Sequence, residues 1–353
     1  MTIDLNLSSD QNQIVASMGK ALSEQLPVSR LRGRHAASPD LAHLPALADL
    51  GVFGLGTSDA VGGAGFGITE EMLLFTELGR YLVTPNALAA TLAARLAMAL
   101  GMEELAKDFV AGQKTVCIAN ALSPFSFDDV AHVPAHLMDS QGASFAVLWN
   151  DTGIVLLCLE GLAATPVAST DRSVSIHRCT LSEDAVLGRL AAGQTTLVRE
   201  AHLLVCAMLL GMAEATRDMA VDYAKTRMQF GRPIGTFQAV KHRCANMAIG
   251  AETLKAQLVF AALAERDVWP DATFQNDACR LLAARCALSN AAANIQVHGG
   301  IGFTAECDAH LYLLRAHLYE HIGGPKSAAR QRLANPPSSE AGKQADLQPT
   351  RTM

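Results

Sequence analysis

Two short segments in the C-terminal half of the chain combine a cation, amides and glycines in an arrangement suited to ligand binding. The first runs from Ala224 to Gln238 and joins two long apolar stretches of helical composition, and Gly231, Pro233 and Gly235 break the helix there. Arg227 therefore falls near a helix C-terminus, a position that favours a cation. A guanidinium stays charged and can bind phosphate through two hydrogen bonds. The simpler alternative is a helix–loop–helix corner with a solvated arginine.

The second segment, residues 294–304, reads Asn-Ile-Gln-Val-His-Gly-Gly-Ile-Gly-Phe-Thr and ends another long helical stretch. Its paired glycines, Gly299 and Gly300, allow the main chain to approach a ligand closely. Gln296 supplies a side-chain amide beside them. Taken alone, this segment fits an ordinary glycine-terminated helix equally well.

Together, the two segments closely resemble the acyl-CoA dehydrogenase family. The shared features are Arg-x-x-Phe-Gly-x-Pro-Ile, the Phe-Gln pair at 237–238, and Gln-Val-His-Gly-Gly-Ile-Gly-Phe at 296–303. Weaker similarity extends to residues 50–55, 62–65 and 77–80. The resemblance implies a mostly α fold with a small β-domain, made of an N-terminal helical domain, a β-barrel or sandwich, and a C-terminal four-helix bundle. It also implies FAD as the cofactor and α,β-desaturation of an acyl-CoA thioester as the reaction.

Composition limits the other classes of function. The chain has 353 residues, enough for two or three domains, of which 50% are hydrophobic and 5% aromatic. The net charge of −6 is unpatterned, so nothing favours nucleic acid as a partner. No apolar run reaches about 18 residues and no signal region is recognisable, so we expect neither a membrane span nor secretion. The eight cysteines are scattered without Cys-x-x-Cys, which favours a reducing cytoplasm and no metal site.

Four regions are predicted along the chain. Residues 1–112 form an N-terminal helical domain, residues 113–195 a reduced β-domain, residues 196–334 the C-terminal helical bundle, and residues 335–353 a disordered tail. The first helix is expected to begin at Ser9, with Asp10 as its N-cap. The other predicted elements are a short helix at 39–50, a glycine-rich loop at 56–68, strands at 116–119, 145–149, 154–159 and 174–177, and bundle helices at 197–226, 237–267, 271–298 and 305–322.

The resemblance assigns half of a flavin site to the two C-terminal segments. In the family, FAD lies between the β-domain and the bundle, and a neighbouring subunit donates part of its contacts. By position, Arg227 and Gln229 are expected at the pyrophosphate and adenosine portion, and Phe237 and Gln238 beside the adenine. The remaining expected contacts, at the adenosine end, are Gln296, Val297, Gly299 and Gly300.

The other half of the family's flavin site is altered. The usual Thr-Glu-Pro-x-x-Gly-Ser-Asp segment, which lies against the isoalloxazine ring, is replaced over residues 119–129, where Pro124 remains and Asn120 or Ser123 could substitute. The usual Trp-Ile-Thr is also missing, because Trp149 is followed by Asn150. The chain is therefore expected to offer a half-site to a partner while lacking its own.

The catalytic glutamate of the family is missing as well. Counting from Arg315 places the usual base at Gly324, with Glu320 four residues earlier. Another branch of the family places its base at Ala201 or His202, next to Glu200. Both glutamates remain candidates, but solvated surface carboxylates are the favoured interpretation. The histidines His298, His317 and His321 are likewise expected to be surface or packing residues.

Three hypotheses follow. The favoured one is a subunit that completes the flavin site of a catalytic partner in a heteromeric acyl-CoA dehydrogenase. The first alternative is an active homo-oligomer that uses Glu320 or Glu200 as a displaced base. The second is a flavin-free helical scaffold. The resemblance implies an acyl-CoA substrate, an oligomer formed with a subunit of the same family, and an electron-transfer flavoprotein as the electron acceptor. An acyl-CoA oxidase, which would use oxygen instead, remains an open alternative. Steroid side chains and dicarboxylic acyl chains are the bulky substrates that short, paired family members take.

Overall fold

The computed structural model describes residues 6–33 and 40–335. The predicted disordered tail lies outside the described residues except for Asn335, as does Pro39, the predicted start of the short helix. The N-terminal region is helical, and its helices are α1 Ser9–Gln25, α2 Leu44–Asp49, α3 Ile68–Arg80, α4 Pro85–Ala99 and α5 Glu103–Val110.

The first helix begins where the sequence predicts, but its cap is a different residue. Ser8, not Asp10, is the N-cap, and its hydroxyl accepts a hydrogen bond from the Gln11 N–H at 3.2 Å. The Gln11 side chain accepts the Ser8 N–H in return, at 3.0 Å, which completes a capping box. Asp10 lies inside the first turn, where its negative charge suits the helix dipole.

A single seven-stranded sheet forms the middle of the chain. Its strand order is β5-β6-β2-β1-β3-β4-β7, and β1 pairs in parallel with β3 while the other pairs are antiparallel. The strands are β1 Val116–Ala121, β2 Pro134–Met138, β3 Phe145–Asn150, β4 Gly153–Cys158, β5 Ala164–Val167, β6 Ile176–Thr180 and β7 Val186–Ala191.

Three of these strands were not predicted. Strand β2 begins with a proline, and β5 contains Pro166, which the ladder tolerates because β5 is the last strand at its edge. Strand β7, at the opposite edge, contains Gly188 and Arg189 in place of an apolar run. The two faces of the sheet are buried in different ways. Ile118, Val147 and Trp149 face the helices, whereas alternate residues such as Leu148 line a separate core within the β-region.

The C-terminal region is a bundle of long helices. They are α6 Leu197–Thr226, α7 Gln238–Arg266, α8 Ala272–His298, α9 Ala309–Tyr319 and the unpredicted α10 Ser327–Ala334, and a two-strand hairpin, β8 Met228–Gln229 with β9 Arg232–Pro233, follows α6. Helix α6 is central, because nearly every residue from 197 to 213 is buried against α3, α7 and α8. Helix α7 is long and apolar enough to cross a membrane by length and composition alone, a test that core helices also pass.

A buried arginine fixes the end of the bundle against the sheet and the N-terminal helices. Arg315 of α9 is 1% exposed and donates to Asp171, to Ser173 Oγ and to the carbonyls of Leu82 and Val83. A guanidinium with all these partners satisfied is held in one geometry. The turn that follows α9 is thereby held close to the sheet, which matters for the functional site.

Candidate functional site

The hairpin after α6 presents the first candidate segment to solvent. Helix α6 ends at Thr226, Arg227 adopts extended backbone, and the Gln229–Arg232 pair leaves Phe230 and Gly231 as the hairpin tip. Arg227 and Gln229 are exposed, and Phe230 is 90% exposed. Within residues 6–33 and 40–335, no side-chain hydrogen bond or ion pair engages the Arg227 guanidinium, so its donors face solvent.

The end of α8 presents the second segment on the same part of the bundle. Gly299 has φ +67°, and a Cβ added there would meet nothing within 4 Å, so the backbone is open to a ligand. Val297 is buried in a small cluster with Ala220 and Ala224 of α6. The ring of His298 stacks on Tyr223 with ring centroids 4.3 Å apart. These contacts place the end of α8 beside the end of α6.

The predicted site residues therefore come together at one end of the bundle. Gln296, Gly299 and Gly300 are exposed, as is Gln238 at the first position of α7, whereas Val297 is buried and offers only its main chain to a ligand. Phe237 is half-buried, and the Arg232 guanidinium lies over its ring, 4.3 Å from the centroid. Arg232 adds a second exposed cation that the sequence analysis did not single out, although it occupies the variable position within Arg-x-x-Phe-Gly-x-Pro.

A groove between α7 and α8 continues from this end of the bundle. It has a volume of about 400 Å³. Its lining includes Ala239, which directly follows Gln238, His242, one turn along α7 from Gln238, and Ala293, one turn before Gln296. Open space thus adjoins the exposed polar surface, a geometry in which another chain or the end of a long ligand could pack.

The two candidate glutamates do not stand as free bases. Glu320 Oε1 accepts a hydrogen bond from His317 Nδ1 at 2.9 Å, and its carbonyl accepts one from the Lys326 ammonium. His317 and His321 are exposed and Glu320 is half-buried, so the Glu320 carboxylate belongs to a cluster at the surface.

Glu200 is not the surface carboxylate that the sequence analysis favoured. It is 8% exposed, it pairs with Arg95 of α4, and its Oε1 accepts the Thr196 hydroxyl at 3.0 Å. Arg95 also binds Glu71 of α3 at 2.6 Å, so two carboxylates share one half-buried guanidinium. Burial raises the pKa of Glu71 to about 7, an effect that Arg95 opposes and Glu200 reinforces. The prediction failed because Arg95, which draws Glu200 inward, lies 105 residues away in the sequence.

The position of the family base is a turn with unusual backbone. Gly323 and Gly324 have φ values of +80° and +88°, a conformation that L-residues with a side chain rarely adopt. His202 is buried beneath this turn, with Nε2 3.3 Å from the Gly323 carbonyl oxygen. Burial lowers the pKa of His202 to about 3, helped by Arg280 and opposed by Asp151, so its imidazole stays neutral near pH 7.

Trp149 closes the turn from the side of the sheet. A Cβ added to Gly323 would lie 2.6 Å from Trp149 Nε1 and 2.9 Å from the His202 ring, so the sheet, the α9–α10 turn and α6 are in direct contact. Trp149 is 2% exposed. The resemblance places the isoalloxazine ring of FAD between sheet and bundle, and a tricyclic ring does not fit where these walls touch. The exposed segments at the ends of α6 and α8 carry groups that suit a dinucleotide, whereas Trp149, Gly323 and His202 leave no gap between the sheet and the bundle at this point.

Ion pairs hold the sheet to the bundle beside this contact. Asp151, in the β3–β4 turn, binds Arg280 of α8 at 2.7 Å and Arg332 of α10 at 3.0 Å. Arg332 also binds Asp277 of α8 through two nitrogens, at 2.7 and 2.8 Å. The charges of two carboxylates and two guanidinium groups therefore balance. No group of three His, Cys, Asp or Glu side chains in the described part of the chain has the geometry to hold a metal ion.

The fold and the sequence together identify the protein class, because the chain belongs to the acyl-CoA dehydrogenase family. The model of the acyl-CoA dehydrogenase N-terminal domain matches residues 8–113, and that of the C-terminal domain matches residues 192–335. The family's reaction is an oxidation at a CH–CH bond, and its cofactor is FAD. The predicted family, fold class and cofactor are thus confirmed.

Two relatives and one solved structure are similar to this chain over most of its length. Acyl-CoA dehydrogenase IpdE2 of Mycobacterium tuberculosis is 34% identical over 269 residues, which are 76% of this chain and 77% of that protein. Acyl-CoA dehydrogenase FadE34 of the same organism is 35% identical over 294 residues, and the match spans 79% of this chain but only 39% of FadE34. Among solved structures, a chain of the ChsE4-ChsE5 complex from Mycobacterium tuberculosis superposes with a TM-score of 0.78 at 22% identity, covering 95% of this chain and 100% of that one.

Proposed function

We propose that this chain is a subunit of an FAD-dependent acyl-CoA dehydrogenase that completes the flavin site of a catalytic partner and does not itself abstract the substrate proton. The observation that carries the proposal is a contrast within one chain. Its donated half-site is open and cationic, whereas the position of its own base is a glycine in contact with Trp149 and His202.

The exposed half-site has the chemistry that a dinucleotide needs. Arg227 keeps its donors free of competing carboxylates in the described structure, so a diphosphate can take both nitrogens of the fork. Gly299 leaves room for main-chain approach. The amides of Gln229, Gln238 and Gln296 are exposed and can bind the neutral sugar and base portions through hydrogen bonds.

The reaction requires a carboxylate that this chain does not place suitably. The base must lie within hydrogen-bond reach of the proton α to the thioester carbonyl, and FAD, when bound, would supply the acceptor for the β-hydride. Glu320 is held in a surface cluster and Glu200 is held by Arg95. We therefore assign the base to the partner and assign binding and orientation of the flavin's diphosphate end to this chain.

The partner that this geometry favours is a different chain of the same family. A second copy would bring another closed cleft, so donation between identical copies would complete no flavin site. The ChsE4-ChsE5 complex, which has this fold, is an example of two different chains assembled together. An acyl-CoA substrate with a bulky steroid or dicarboxylic acyl chain, an electron-transfer flavoprotein as acceptor, a cytoplasmic location and the four domain boundaries remain predictions.

The test is the flavin content of a co-expressed complex. The full chain is co-purified with a catalytic acyl-CoA dehydrogenase subunit from its own genome that retains the glutamate, and flavin absorbance is divided by subunit concentration. Arg227→Ala and Gln296→Ala are each expected to remove most of the flavin. Arg330→Ala is the control, because Arg330 is an exposed arginine of α10 near the start of α8. The start of α8 is far from the donated half-site, since Asp277 and Gln296, towards the two ends of α8, lie ~28 Å apart along its axis.

Each alternative gives a different result. Retention of full flavin after Arg227→Ala in the complex would exclude the donated half-site. Flavin bound by the chain alone, with desaturation lost on Glu320→Gln or Glu200→Gln, would establish the homo-oligomeric enzyme with a displaced base. A colourless complex with every catalytic subunit tested would favour the scaffold.

A further inference from the structure

The turn at the expected position of the family base has a backbone that suits glycine. Gly323 and Gly324 are consecutive residues with positive φ, a conformation that a glutamate at either position would adopt only with strain. Loss of the base is therefore accompanied by a backbone that disfavours a side chain. Gly323 is buried in this turn, between the sheet and α6.

The buried Gly323 lies between two aromatic side chains and contacts both. The contacts of Gly323 with Trp149 and with His202 leave no room for even a methyl group, since an added Cβ would overlap both rings. The carbonyl oxygen of Gly323 is also hydrogen-bonded to His202, at 3.3 Å from Nε2. Trp149 Nε1 is buried without a hydrogen-bond partner in the described part of the chain, so packing is what holds the ring there.

Ion pairs of helix α10 hold the turn, the sheet and α8 together beside this contact. Arg332 joins α10 to Asp277 of α8 and to Asp151 of the sheet, and Arg280 binds the same Asp151. Asp277 and Arg280 are 2% and 4% exposed, so their ion pairs are largely shielded from water and salt. Breaking one partner of such a network leaves an uncompensated buried charge.

We infer that the Gly323–Gly324 turn seals this chain's own flavin cleft, so that an assembly containing it holds FAD only in the site of the partner. The inference deepens the proposed function, on which it rests for the existence of that partner. The seal itself is a property of this chain and is tested on the chain alone. It also implies that Gly324→Glu does not restore a catalytic centre, because the ring position stays filled.

The two glycines form a matched pair for testing the seal. Both alanine substitutions strain a left-handed backbone, but an added Cβ at Gly324 would meet only Asn150 Cβ, at 3.9 Å. The chain has two tryptophans, Trp149 and Trp269. Acrylamide quenching of tryptophan fluorescence is therefore measured in a Trp269→Phe background, in which only Trp149 emits. Gly323→Ala is expected to raise quenching about threefold, and Gly324→Ala is expected to leave it near that of the background protein.

Two outcomes would overturn the seal. One is strong quenching of Trp149 in the background protein, and the other is equal quenching in both alanine variants. If Gly323→Ala does not fold, titration of the unmodified chain with free FAD decides the matter. The expected result is no saturable binding at ~100 μM FAD and no change in tryptophan emission. Stoichiometric FAD binding that quenches Trp149 would refute the inference. The proposed function is tested separately, by the flavin content of the complex that carries Arg227→Ala.

Discussion

The buried Glu71–Arg95–Glu200 cluster makes a prediction about the pH dependence of stability. Two carboxylates face one guanidinium between α3, α4 and α6, and the Glu71 carboxylate also lies beside the backbone N–H of Gly56. Burial raises the pKa of Glu71 from 4.5 to about 7. The perturbation that tests this environment is Glu71→Gln, which keeps the size of the side chain and removes its charge.

The magnitude follows from proton linkage. A carboxyl group whose pKa is raised on folding stabilises the protein fully below its unfolded pKa, and this contribution is lost as pH rises through the folded pKa. At about 1.36 kcal/mol per pH unit, the difference between 4.5 and about 7 corresponds to roughly 3 kcal/mol. The free energy of unfolding of the unmodified chain should therefore fall by up to that amount between pH 4.5 and 8. Glu71→Gln should be more stable than the unmodified chain at pH 8 and similar to it at pH 4.5.

The assay is urea unfolding followed by circular dichroism at several pH values from 4.5 to 8. The control is Glu70→Gln, the adjacent carboxylate, whose pKa is lowered because Gln11 and Thr69 donate hydrogen bonds that outweigh its desolvation. A lowered folded pKa contributes stability at neutral pH, so this control should be destabilised at pH 8, opposite to Glu71→Gln. If Glu71→Gln were destabilised at pH 8, or if its pH profile matched that of the unmodified chain, the shared-guanidinium interpretation would be wrong.

Two further predictions concern stability. Ser8→Ala should lower the free energy of unfolding by about 1 kcal/mol through loss of the capping box, and Asp10→Ala by less, both measured by thermal unfolding; a larger loss at Asp10 would restore it as the cap. Arg315→Ala should cost about 3–5 kcal/mol because it leaves Asp171 buried and unpaired. The exposed pair of Arg266 with Asp267 should contribute far less in the same measurement, and equal losses at the two arginines would contradict the buried network of Arg315.

The parts of the site that the sequence predicted are those whose information is local. Gly231 and Pro233 break the helix after Thr226, and Gly299 ends α8, so both segments had to emerge at helix ends. Helices that alternate in direction in a bundle bring the ends of α6 and α8 to the same side, and the buried contact of Val297 with Ala220 follows. Exposure of Arg227 could be expected because no acidic residue lies three or four positions from it, where a helical ion pair would form.

The parts that the sequence did not predict depend on contacts between distant segments. Glu200 has the sequence surroundings of an ordinary helix start, and only Arg95 makes its burial favourable. The contact of Trp149 with Gly323 requires a positive φ at two successive residues, which a Gly-Gly pair permits but does not dictate. Edge strands β5 and β7 were missed because their burial is partial, so their apolar pattern is weak.

The two halves of the flavin site differ in what folding alone can explain. The closed half is stabilised by its own contacts, since Trp149, His202 and Gly323 pack together and Arg332 is paired twice. A protein that had become a plain scaffold would gain from these contacts. The open half gains nothing comparable, because Arg227 has no side-chain partner among the described residues and Phe230 is 90% exposed at φ +51°. An exposed aromatic ring on a strained backbone lowers the stability of the isolated chain. Folding therefore accounts for the sealed half alone, and the open half is what the proposed binding of a partner and its nucleotide would explain.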